Sequence, residues 1–167
     1  IRDRWWYAKR DHDKNHICEF GSVDGTLVAA AWESGMDNAI RFDGTKMLQN
    51  GPDAWSTDQE SVDLNAYLSL EYTLLKKFAA LLDEPFLLPD YRSMVADYFF
   101  DKKDGFFYDR RMNATRDFVR EAGCEGYIPF WANIATKEQF AKARKLLDNK
   151  KKFSTYTVSY THLRAHE

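Results

Sequence analysis

The run from residue 61 to residue 82 constrains this chain more than any other segment. Val62, Tyr67, Leu68, Leu70, Leu74, Leu75, Phe78, Leu81 and Leu82 recur at helical spacing and form a wide apolar stripe. Pro85 follows soon after and cannot continue a helix. A second helix is predicted from near Pro89 to about Phe100, with Met94, Val95, Tyr98 and Phe99 on its core side. A third is predicted over 137–148, where Thr136 and Gln139 have capping-box spacing and Phe140, Ala143, Leu146 and Leu147 face inward. Residues 1–9 read as the end of a helix carrying Trp5 and Trp6.

Between these helices the chain reads as loop. Residues 10–31 are rich in Asp, Asn and Gly, and residues 44–58 carry Gly44, Asn50, Gly51, Pro52 and Asp53. Residues 101–105 read as a turn, Phe106-Phe107-Tyr108 as a short strand or hairpin arm, and 110–126 as charged and irregular. Long helices alternating with long loops predict an all-α stack of helical hairpins.

The 167 residues suit one domain, and a net charge of −2 leaves no basic footprint for nucleic acid or an anionic membrane. No apolar run approaches the ~20 residues a bilayer span needs. Cys18 and Cys124 read as two separate thiols and leave the compartment open. Aromatic residues make up 16% of the chain, enough rings to fill a core and also to stack on sugar faces.

Two segments carry candidate chemistry. In Trp32-Glu33-Ser34-Gly35-Met36-Asp37-Asn38, a Trp face stands beside two carboxyls, and Gly35 permits close backbone approach to a ligand. Glu33 and Asp37 would share one face if both were helical. The same make-up also suits a solvated surface loop. In Asp11-His12-Asp13-Lys14-Asn15-His16-Ile17, oxygen ligands alternate as at the start of an EF-hand loop, and the Ile17 carbonyl follows as a backbone ligand. The sixth and twelfth positions are His16 and Ser22 instead of Gly and Glu, so this is not an EF-hand. His12 and His16 have zinc-like spacing for a helix, but their surroundings read as loop and no Glu stands between them.

Three segments in order, WESGMDNAIRFD, QESVDLNAYL and EGYIPFWANIAT, resemble glycoside hydrolase family 63 over about residues 1–156. The resemblance implies a partial α/α toroid of helical hairpins. It implies an inverting hydrolase that acts on an α-glucoside, an oligosaccharide or a related small α-glycoside through two carboxyl groups. Asp37 falls on the general acid. Trp32, Gly35 and Asn38 fall on the sugar site, with Trp131 in its wall. The resemblance also implies a calcium site built by Asp11, Asp13, Asn15 and the Ile17 carbonyl, closed by Glu60. In the family the general base lies beyond the segment that matches 153–156, so Glu33, Glu60 and Glu125 are not that residue. The chain alone is therefore expected to be inactive. Helix faces that would pack on further hairpins are expected to be exposed and poorly soluble. Two alternatives remain open: a calcium-stabilised sugar-binding module without catalysis, and a trehalase-like hydrolase. The last eleven residues, 157–167, are similar to a translated sequencing adapter and read as a non-native tail.

Overall fold

The computed structural model describes residues 3–88, 90 and 92–149. The proposed tail, with His162 and His166, lies outside the described residues. The architecture is mixed, which corrects the all-α, partial-toroid expectation. A five-stranded antiparallel sheet and a separate two-stranded one stand beside the helices.

Both long loops contain regular structure. Residues 10–31 hold β1 (Glu19–Ser22) and the start of α1 (Leu27–Glu33), whose N-cap Thr26 accepts the Ala29 amide through its hydroxyl. Residues 44–58 hold β2 (Met47–Gly51) and most of β3 (Ala54–Glu60), joined at a tight turn through Pro52 and Asp53. The irregular 110–126 stretch contributes to β6 (Asp109–Arg111) and holds β7 (Phe118–Val119). β3 is the hub of the sheet. It pairs antiparallel with β1 (Glu19 opposite Glu60), with β2 (Met47 opposite Thr57) and with β6 (Gln59 opposite Arg111).

These strands escaped the hydrophobic pattern because most of the fully buried positions of β1 and β3 are polar. Ser56, Thr57, Gln59 and Glu60 of β3 and Glu19 of β1 are all fully enclosed. A period-2 signal needs apolar residues on the inward face, and here hydrogen bonding takes the place of apolarity.

The helices match more closely. α2 runs Val62–Leu81, α3 Arg92–Phe99 and α5 Lys137–Leu147. The capping box is present in full: Thr136 Oγ1 accepts the Gln139 amide at 3.1 Å and Gln139 Oε1 accepts the Thr136 amide at 2.8 Å. The short hairpin is also present, as β4 (Phe100–Asp101) paired with β5 (Phe106–Phe107).

Burial along α2 departs from the stripe. Val62 to Ala66 are buried on every side, where the helix starts against the sheet. The later stripe positions Leu74, Leu75, Phe78, Leu81 and Leu82 are exposed. Met94, Phe140 and Leu147 are also more exposed than their helical positions suggested. One apolar cluster joins Cys18, Phe20, Phe42, Leu64 and Leu68, and another joins Ile17, Val62, Val95, Phe99 and Phe107. Asn65 binds these regions together: its side-chain amide accepts from the Cys18 N–H and donates to the Cys18 carbonyl, both at 2.8 Å.

Candidate functional site

α1 ends at Glu33, so Glu33 and Asp37 do not share a helical face. Glu33 is committed to structure. Its carboxylate accepts from Arg10 Nε at 2.9 Å, Arg10 Nη2 at 3.0 Å and the Gly21 amide at 2.7 Å. Gly35 then takes φ +70°, the left-handed turn that favours glycine, and redirects the chain out of the helix. Asp37 and Asn38 follow in an exposed turn. Among the described residues, none hydrogen-bonds to the Asp37 carboxylate.

What holds Asp37 in place is its neighbour. Met36 Sδ lies 3.8 Å from Arg41 Nη2 and 4.0 Å from Cys124 Sγ. Arg41 is only 1% exposed and spans two buried carboxylates. Its Nη1 and Nη2 donate to Asp63 at 2.9 and 2.8 Å, and Nη1 donates to Asp109 at 3.2 Å. Gln59 Nε2 and the Val62 amide complete Asp109 at 2.8 and 2.7 Å. Beside this network lies Glu125, enclosed, with Oε2 making no hydrogen bond. Burial, opposed by Arg41 and reinforced by Asp109, pushes its carboxyl up to about 7. Local chemistry in the sequence did not reveal this network. Its parts lie 22 to 68 residues apart.

The aromatic rim is exposed. α4 (Ile128–Trp131) carries Trp131, which is 66% exposed and packs edge-on against Tyr67 with ring centroids 5.9 Å apart. Tyr67 also lines an open cleft of about 300 Å³ with Trp6, Phe20, Ser34, Leu64 and Glu71. Trp32, on α1, is 64% exposed, and no ring contact holds it among the described residues.

The acidic loop assembles as a second cluster. Asp11 accepts the Asn15 amide through Oδ1 at 3.0 Å and the His16 amide through Oδ2 at 3.1 Å. Lys14 and His16 both take positive φ, at 60° and 68°, so the sixth loop position has the backbone that EF-hand loops give to Gly. Asn15 Nδ2 donates to Glu60 Oε1 at 2.7 Å and to Asp13 Oδ2 at 3.3 Å. Asn15 Oδ1 accepts the Ile17 amide at 2.7 Å. Asp11, Asp13, Asn15 and Glu60 are thus brought together from 45 residues apart.

Glu19 was missed. Oxygens of Asp11, Asp13 and Glu19 lie within 4.8 Å of one another. Glu19 Oε1 is buried without a hydrogen-bond partner among the described residues, and burial holds its carboxyl well above the usual range. The signal was available, since Glu19 continues the alternation of 11, 13, 15 and 17. The donor set is all oxygen and predominantly carboxylate, which fits Ca²⁺. Among the described residues, no histidine joins this oxygen cluster. His12 Nδ1 lies 2.6 Å from Asn50 Oδ1. Neither cysteine is in a disulfide: Cys18 is buried and Cys124 exposed. No helix among the described residues is long and apolar enough to cross a membrane.

Comparison with known protein families matches residues 3–167 to the profile described as "Mannosylglycerate hydrolase MGH1-like glycoside hydrolase domain". The match spans nearly the whole chain, including all three segments that carried the resemblance. The chain therefore belongs to the MGH1-like glycoside hydrolase domain family.

Proposed function

We propose that this chain supplies the general acid, Asp37, of an inverting hydrolase that acts on a small α-glycoside, an α-glucoside or a mannosylglycerate-like compound. One observation carries the reading. Asp37 is an exposed carboxyl with no hydrogen-bond partner among the described residues, on a turn held by Met36 between Arg41 and Cys124. A general acid needs a carboxyl free to give its proton to the leaving oxygen. Trp131 and Tyr67 present ring faces for a sugar, with Trp32, Gly35 and Asn38 completing the subsite.

Inversion also needs a second carboxylate about 6.5–9.5 Å from the first, to activate water. Glu33 is bound to Arg10, Glu60 to Arg116 and Tyr98, and Glu125 is enclosed. None of the three suits that role, which supports an inactive isolated chain. Asp11, Asp13, Asn15, Glu19 and Glu60, with the Ile17 carbonyl, are the residues that would hold calcium. The ion would supply a fixed double charge that pins the 11–19 loop to β3.

The test is release of the aglycone from a small α-glycoside by the purified chain, because attack by azide would leave a glycosyl azide and not free sugar. No turnover above the buffer rate is expected. Added azide, as a substitute nucleophile, should restore turnover, and Asp37→Asn should abolish it. Turnover without azide that Asp37→Asn leaves unchanged would overturn the assignment.

A further inference from the structure

Arg116 sits inside the acidic cluster. Its Nη1 donates to Glu60 Oε1 at 2.9 Å, and its Nη2 donates to Asp13 Oδ2. These are two of the oxygens a cation would need. The guanidinium is one-third exposed, so it has a path to water.

Its backbone is anchored without help from its side chain. Asn113 Oδ1 accepts the Asp117 amide at 3.1 Å, and Arg110 Nη1 donates to the Arg116 carbonyl at 2.7 Å. Arg110 is itself fixed, with its guanidinium 3.9 Å from the Phe118 ring centre. The turn can keep its shape while the Arg116 side chain leaves.

Asp11, Asp13, Glu19 and Glu60 offer four carboxyl groups, and Arg116 reaches two of them, Asp13 and Glu60. Glu19 Oε1, fully buried, has no hydrogen-bond partner among the described residues and lies beside Asp11 and Asp13.

We propose that Arg116 is a built-in competitor for the divalent cation. It occupies Asp13 and Glu60 when the ion is absent and must swing out when the ion binds, while Glu19 is a ligand that it cannot reach. Two cations sharing the same carboxylate oxygens repel one another, so occupancy by one excludes the other. The proposal rests on the calcium reading of this loop.

Calorimetric titration of the folded chain with Ca²⁺ alone tests it. Arg116→Gln should bind Ca²⁺ about tenfold tighter than wild type, with Arg116→Lys between them. Glu19→Gln should bind at least about tenfold more weakly. In wild type, the Arg116 Nε–H NMR signal should shift as Ca²⁺ is added, a readout that needs no variant to fold. Wild-type binding with equal or weaker affinity in Arg116→Gln and an unmoved Arg116 signal would overturn competition and leave the calcium reading intact. Absence of binding in both folded proteins would overturn both. Binding gained only in Arg116→Gln would support the proposal.

Discussion

Glu125 is folded back against Gly123, where a Cβ would stand 2.1 Å from Glu125 Oε2. No donor reaches that oxygen, and Asp63 and Asp109 add negative charge nearby. The enclosed carboxyl therefore keeps its proton up to about pH 7, against an ordinary value of 4.5. A folded-state value above the unfolded one means that folding takes up a proton between them. The associated stability is fully present below pH 4.5 and is lost as pH rises through about 7. In urea unfolding, Glu125→Gln should flatten that fall by roughly 3 kcal/mol across the window. A wild-type-minus-variant difference that stays constant with pH would reject this account.

At the end of α2, Asp83 takes φ +54° and the Glu84 amide reaches back to the Ala79 carbonyl at 2.9 Å. That is the Schellman arrangement, which usually places Gly at the left-handed position. Asp83→Gly should raise stability by about 0.5–1 kcal/mol, read as a higher Tm. An unchanged or lower Tm would show that the Asp side chain compensates for its backbone. The elements also show where sequence patterns carry information. α5 was legible because its cap is local: Thr136 and Gln139 are three residues apart, and their side chains satisfy the helix's own amides. β3 was not legible because its inward residues are Ser, Thr, Gln and Glu, and the Gln59 side chain finds its partners, Thr45 and Asp109, in other segments.

At the scale of the whole molecule, the outer half of α2 presents an exposed apolar face among the described residues. Leu74, Leu75, Phe78, Leu81 and Leu82 fall on one helical face, with Phe78 59% and Leu81 80% exposed. An apolar face of this kind favours association in water. Sedimentation velocity should show concentration-dependent self-association. Phe78→Glu with Leu81→Lys should suppress it without lowering Tm, because neither side chain is buried in the core. A wild-type chain that stays monomeric over the same range would contradict this.

The amino-acid sequence by itself determined the three main helices, the capping box, the short hairpin and the family. The helices, the cap and the hairpin rest on residues close in sequence, where spacing is geometry. Tertiary structure decided the five-stranded sheet, the Arg41–Asp63–Asp109 network and the entry of Glu19 and Arg116 into the acidic cluster. These depend on buried polar groups finding partners; for Arg116 and Asp13 the separation is 103 residues. Such pairing is fixed by the folded backbone, because a buried donor or acceptor is stable only where its partner arrives.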